Sequence, residues 1–357
     1  MMLERQPLSP FLDPAAVNAW DAWFRLREDG ELRDLSIEST WRRVADALEC
    51  EDLACHGPIA ERCYEALARW QLLFDERILA TAGSARAQWP EDPVAVLNLA
   101  GFVQAPFSAH ARVDYPAVRE TAELAVRCLD CTSRHDPKAA CAPRIGMIGL
   151  ADALALLGQP YDSQGGRDAT GNMAQALAEG CLAANVRQAR DLGPRVECTP
   201  DLRTRMTSRG MPGELIREAA RTGLRFRELT SITTQRGLAL FANNVSDALD
   251  PLCPGEQVTT RNANPAGYAA AVARLAPAQA QATMRLATAR EEVSVRDQIR
   301  LRGAAQPWID LPIDYPIRIR EAPDPPSESS WRELAHAYSL GAPRWEVEPD
   351  RCSRAGG

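Results

Sequence analysis

Between Arg144 and Ser163 the chain reads Arg-Ile-Gly-Met-Ile-Gly-Leu-Ala-Asp-Ala-Leu-Ala-Leu-Leu-Gly-Gln-Pro-Tyr-Asp-Ser, and no other segment restricts the fold as much. Gly146 and Gly149 admit a close backbone approach that larger residues would obstruct. Leu150, Leu154 and Leu157 recur at helical spacing until Gly158, a helix stop. The run Gln-Pro-Tyr-Asp-Ser then predicts a turn, with Ser163 capping a further helix. Asp152 alone interrupts the apolar stretch from Ile145 to Leu157, which is too short to span a bilayer. The segment is scaffold: it carries no catalytic side chain.

The 357 residues suffice for one large domain or two ordinary ones, and 45% hydrophobic content supports a real core. A formal net charge of −7 argues against binding to nucleic acid or an anionic membrane surface. Abundant alanine and only 6% aromatic residues favour helices over sheets. The opening Met-Met-Leu-Glu-Arg-Gln is polar and reaches Pro7 without an apolar core, so no secretory signal is read and a cytoplasmic location is expected. Ten cysteines without framework spacing then read as reduced thiols.

Asp13-Pro14 predicts a helix start, with Gly30 closing that helix and Trp20, Trp23 and Phe24 on its apolar side. A second helix begins at Ser36 or Ser39 and places Trp41, Val44, Ala45 and Leu48 on one stripe. A third is expected over 58–80, through Ile59, Cys63, Leu67, Trp70 and Phe74. Residues 82–93 read as a linker, and Val94-Ala-Val-Leu97 as a short buried strand. Helices are expected from Tyr115-Pro116 to about residue 134, over 163–190 and over 265–302, with a strand and loop within 225–240. From Pro307 onward prolines and charges predict an irregular tail with a short helix over 331–340.

Several of these segments, in order, resemble the large subunit of ribonucleotide reductase, most closely its adenosylcobalamin-dependent class. Leu72-Leu-Phe-Asp-Glu-Arg-Ile-Leu-Ala-Thr-Ala-Gly83, after Thr40-Trp-Arg-Arg-Val-Ala45, is similar to the end of that family's helical entry domain. Asn98-Leu-Ala-Gly-Phe-Val103 with Ala125-Val-Arg-Cys-Leu-Asp130 resembles the strand and helix after its finger loop, and 144–163 a signature segment. Ala242-Asn-Asn-Val-Ser-Asp-Ala-Leu-Asp-Pro251 and Gly303-Ala-Ala-Gln-Pro-Trp-Ile-Asp310 are similar to later parts of the fold. The resemblance implies an α+β, predominantly helical chain: an N-terminal helical unit at 1–83, a linker at 84–97, and a half-barrel-like, mostly helical domain at 98–317. An irregular tail follows at 318–357. The central domain would be the second half of the family's α/β barrel, because a linker this short cannot hold the first.

The departures bear on chemistry. The family presents a radical-forming cysteine in an asparagine-proline-cysteine-x-glutamate phrase, whereas residues 85–93 contain no cysteine, and Leu97 stands where a second family cysteine lies. Catalytic and cofactor-binding residues are therefore expected to be absent, with adenosylcobalamin implied by the resemblance alone. The family's phosphate loop corresponds to Thr233, Thr234, Arg236 and Gly237, where hydroxyls, a guanidinium and a turn-permitting glycine make the candidate anion site. The function so implied is a catalytically deficient nucleotide-binding or regulatory module in deoxynucleotide metabolism. Its partner would be a reductase subunit or a second copy, since half a barrel leaves a strand edge to cover. The alternative is a divergent or split reductase component completed by another polypeptide.

Cys128 and Cys131, with His135 and Cys141, supply zinc-ligand types, but the pair sits at helical spacing where cysteines bury as small apolar residues, so no metal is expected. Cys352 lies alone in the tail. Arg203, Arg205, Arg209, Arg217, Arg221, Arg225 and Arg227 read as a solvated helical face.

Overall fold

Asp13 opens the first helix as its neighbour Pro14 requires: its carboxylate accepts a hydrogen bond of 2.8 Å from the Ala15 amide. In the computed structural model, which describes residues 11, 13–49, 59–132, 142–252, 293–319 and 324–347, helix α1 (Pro14–Ala19) passes into a π-turn at Trp20–Phe24. The helix ends there and not at Gly30. Asp29 and Gly30, with φ of 52° and 83°, instead form the two-residue turn between β1 (Arg27–Glu28) and β2 (Glu31–Leu32). Ser36 caps α2 (Ile37–Leu48), whose buried stripe holds Trp41, Val44, Ala45 and Leu48.

The single helix expected over 58–80 is three elements: α3 (Ile59–Ala68), β3 (Leu72–Phe74) and α4 (Glu76–Thr81). Trp70 takes φ of 56°, which ends helical geometry. Leu72, Leu73 and Phe74 are all fully buried, as a strand covered on both faces demands. Arg43 ties this region together, pairing with Asp34 at 2.8 Å and donating to the Leu79 carbonyl at 3.0 Å.

The central strand is β4 (Val94–Asn98), antiparallel to β3 and parallel to β7 (Arg144–Ile148). A minor hairpin of β5 (Val103–Gln104) and β6 (Arg112–Val113) precedes α5 (Tyr115–Thr132), which makes the crossover from β4 to β7. Beyond β7, residues 229–231 run parallel to it: Ile145 donates to Leu229 O at 2.7 Å, and Ser231 donates to Ile145 O at 3.0 Å. A Cβ at Gly146 would stand 2.8 Å from the Ser231 carbonyl, so this close approach needs glycine. Gly149, at φ 70°, turns the chain into α6 (Leu150–Leu156), and Ser163 caps α7 (Gln164–Leu192) by accepting from Gly166 N at 2.9 Å.

One core, reaching from Trp20 to Tyr315, joins β3, β4 and β7 with α5 and α7. The sheet thus draws on residues from both sides of position 83, and β4 covers the short buried strand expected at Val94–Leu97. Helices α8 (Pro200–Ser208) and α9 (Gly213–Thr222) follow α7, then α10 (Arg236–Phe241) and α11 (Val295–Ala305). The tail is more ordered than its prolines suggest. β8 (Ile317–Ile319) pairs in parallel with β9 (Trp345–Val347), and between them α12 (Pro325–Ala337) uses proline in its first turn, where no amide partner is lost. Trp331 and Trp345 pack edge to face at 5.2 Å. The fold is α+β and predominantly helical. Among the described residues there is no closed barrel, and no helix is long and apolar enough to cross a membrane.

Candidate functional site

Three parallel segments, β4, β7 and residues 229–231, end side by side, and open parallel sheets bind ligands beyond such carboxyl ends. The residues leaving those ends are Asn98, Gly149 and the loop 232–235. Gln235 opens α10, its backbone amide donating to Asp247 Oδ1 at 2.6 Å. Thr233 is exposed and its hydroxyl accepts from Gln235 Nε2 at 3.0 Å, while Thr234 is half-buried. Arg236 forms an ion pair with Glu346 of β9. Gly237 lies within α10 rather than in a turn, and the space a Cβ would need there is taken by the Glu76 carboxylate. The loop resembling the phosphate cradle is therefore brought together as one unit, and carboxylates of the chain itself face it.

Electrostatics follow from that enclosure. Burial pushes the Asp247 carboxyl up to about 6; Asp250 adds to this, and the Gln235 amide, Arg318 and Arg236 oppose it. Asp152 is also pushed up to about 6 by burial, against hydrogen bonding from Ser246, whose amide donates to its Oδ2 at 2.6 Å. Asp152 Oδ1 and Asn98 Oδ1 are buried and find no hydrogen-bond partner among the described residues. Behind them Asp250 meets Arg302 at 3.4 Å and Arg318 at 3.8 Å, and the Arg302 guanidinium lies 3.8 Å above the Tyr315 ring. The site sets the carboxyl groups of Glu76, Asp152, Asp247, Asp250 and Glu346 against the guanidinium groups of Arg236, Arg302 and Arg318.

Among the described residues, no cysteine hydrogen-bonds to these side chains. Leu97, fully buried in β4, occupies the position where the resemblance would place a cysteine. Cys128 and Cys131 lie on α5 within the main core, at 0% and 1% exposure, on the face that packs the protein. His135, Cys141 and Cys352 lie outside the described residues. Among the described residues no group of three or more histidine, cysteine or acidic side chains is placed to hold a metal ion.

The arginine-rich stretch is not uniformly solvated. Arg225 is buried and pairs with the fully buried Asp130 at 3.1 Å, and Arg209 pairs with Asp310 at 2.7 Å. Sequence reasoning missed Glu76, Asn98, Asp247 and Glu346 as parts of the site. Asp152, a lone charge in an apolar run, was the one signal available. Compared with models of known protein families and with curated proteins, the chain matches none.

Proposed function

We propose that the chain is a ribonucleotide-reductase-like nucleotide-binding module without reductase catalysis of its own, acting as a regulatory or partner subunit in deoxynucleotide metabolism. The observation that supports this reading is the loop after residues 229–231. Its amide at Gln235 and its guanidinium at Arg236 are both met by carboxylates, Asp247 and Glu346. Donors that gather carboxylates have the polarity that phosphate oxygens require. A bound phosphate would displace Glu346 from Arg236 and compete with Asp247 for the Gln235 amide.

The same region lacks what reduction of a ribose needs. A thiol beside the sugar and a second pair of thiols as reductant have no counterpart in 85–97. No chemical step is assigned to adenosylcobalamin, since the described donors of this loop are an amide, hydroxyls and a guanidinium group.

Thermal denaturation with saturating ribo- and deoxyribonucleoside diphosphates tests the reading, since a ligand that binds only the folded state raises its apparent stability. The wild-type chain is expected to shift upward, and Arg236→Ala to lose the shift. Asp247→Asn is expected to enlarge it, because the anionic competitor for the Gln235 amide is gone. A flat response from both wild type and Asp247→Asn at saturating nucleotide refutes nucleotide binding.

A further inference from the structure

Helix α6 is capped by a residue that lies far along the chain. Gly149 opens the helix without a side chain, so its first amides have no local side-chain acceptor. Ser246, in the loop after α10, fills that place. Its carbonyl accepts from Gly149 N at 2.8 Å, its hydroxyl accepts from Ala151 N at 3.1 Å, and Asp152 Oδ2 accepts in return from the Ser246 amide at 2.6 Å. This is the reciprocal bonding of a capping box, assembled across 94 residues instead of within one turn. The loop that delivers Ser246 is strained. Asn243, Asn244 and Ala248 hold φ of 65°, 62° and 46°, and alanine lacks the polar side chain that lets asparagine visit this left-handed region. Such a backbone persists only where its surroundings hold it. Besides the bonding to α6, Leu249 is held at both ends: its carbonyl accepts from the Tyr161 hydroxyl at 2.6 Å and its amide donates to the Tyr315 hydroxyl at 3.0 Å.

One of these holds carries a charge that burial penalises. Asp152 is fully buried, and its Oδ1, like Asn98 Oδ1, has no hydrogen-bond partner among the described residues. Burial raises its carboxyl, against hydrogen bonds from the Ser246 amide and hydroxyl and from its own amide. The loop's own acids, Asp247 and Asp250, face Arg318 and Arg302, and Arg236 also bears on Asp247. None of these charges moves the Asp152 carboxyl. With a proton on Asp152 the junction is neutral. Without it, a carboxylate with one bare oxygen is sealed away from water. Lifting the loop off α6 gives that carboxylate its water, and also takes Asp247 from the Gln235 amide.

We propose that Ser246 and Asp152 form a proton-operated latch: neutral Asp152 holds the loop 243–249 on α6, and its ionisation releases the loop while the sheet stays folded. The latch stands whether or not residues 233–236 take nucleotides. A carboxyl raised in the closed state favours closure at low pH and loses that advantage as pH climbs to its closed-state value. With about 6 when closed and an ordinary 3.8 when open, the open fraction grows about tenfold between about pH 5 and 7.5.

Amide hydrogen exchange of the unliganded full chain, followed by NMR at about pH 5 and 7.5 and corrected for intrinsic exchange, is the test. Gly149, Ala151 and Ser246 are the reporters. Ile145 is the reference: it donates to Leu229 O in the strand that Asp310 clamps, its Oδ2 accepting from the Leu229 and Thr230 amides at 2.9 and 3.1 Å. In the wild type the reporters are expected to be less protected than Ile145, and to lose at least about tenfold in protection from the lower pH to the higher. Asp152→Asn should reduce that loss about tenfold, leaving only what Asp247 contributes, and Asp247→Asn should retain the Asp152 part. If Asp152→Asn fails to fold by circular dichroism, Ser246→Ala, which removes only the hydroxyl, should speed exchange at Ala151 and Gly149 while Ile145 stays protected. Reporters that exchange no faster than Ile145, or equally at both pH values, overturn the proposal. So does an undiminished pH dependence in Asp152→Asn, or unchanged exchange in Ser246→Ala.

Discussion

Replacing Asp152 by asparagine isolates the energetic consequence of one buried carboxyl. Asp152 is fully buried in α6, accepts from the Ser246 amide, and leaves Oδ1 without a partner among the described residues. Its carboxyl rises from an ordinary 3.8 to about 6 because burial disfavours the charged form. A raised acid contributes stability that is fully present below its unfolded-state value and is lost as pH climbs through its folded-state value. Ionised Asp152 therefore opposes folding by about 3 kcal/mol well above pH 6 and by only about 1 kcal/mol near pH 4.5, at 1.36 kcal/mol per pH unit. Asparagine keeps an oxygen for Ser246 and cannot ionise. Urea denaturation of both proteins at about pH 4.5 and 7.5 should show the variant gaining on the wild type by about 2 kcal/mol between the two conditions. A stability difference that does not change with pH, or a variant less stable than wild type at the higher pH, would refute the assignment.

Other perturbations follow from single contacts. Asp247, raised in the same direction and also to about 6, should leave a residual loss of stability across pH 4–6 in Asp152→Asn, and the double variant with Asp247→Asn should flatten it. Arg225→Ala removes the nearest cation from the fully buried Asp130, leaving Arg195 at 3.9 Å, and should cost up to about 3–5 kcal/mol in denaturant titrations, with Asp130→Asn restoring part of the loss. Gly146→Ala sets a methyl group against the Ser231 carbonyl and should cost about 1–3 kcal/mol, read as a lowered urea midpoint with unchanged slope. Ser163→Ala removes the cap on Gly166 N and should cost about 1 kcal/mol.

Local signals reported local structure well. Ser36, Tyr115-Pro116 and Ser163 mark helix starts because capping and proline geometry act within a turn of the residue that supplies them. Leu67, Trp70 and Phe74 share helical spacing by coincidence, and that spacing conceals β3; only the left-handed Trp70 backbone separates the two elements. Asp29-Gly30 carries a hairpin signal that a helix-stop reading absorbs. Of the candidate residues 233–237 only the first three lie in the loop, Arg236 and Gly237 belonging to α10, and the surroundings of that loop could not be read from the sequence at all. Asp247, Glu346 and Glu76 come to it from 12, 110 and more than a hundred positions away in the chain, and nothing in their own neighbourhoods announces the meeting. Arg225 reads as one more charge in a basic stretch until its partner, 95 residues earlier, is placed beside it.

The clamp of Asp310 on residues 229 and 230 also has a consequence for synthesis. Those amides find their acceptor 81 and 80 residues downstream, whereas β3 and β4 pair across a short connection. As the chain leaves the ribosome, the amino-terminal side of the sheet has its partners early, while the far edge waits for the helices and loops that precede Ile309-Asp310. Long-range closure of this kind is slow, and an open strand edge invites pairing with another chain. For this protein the interval before residue 310 emerges is the vulnerable one, and a chaperone that shields residues 229–231 during it would act where folding is most exposed to error.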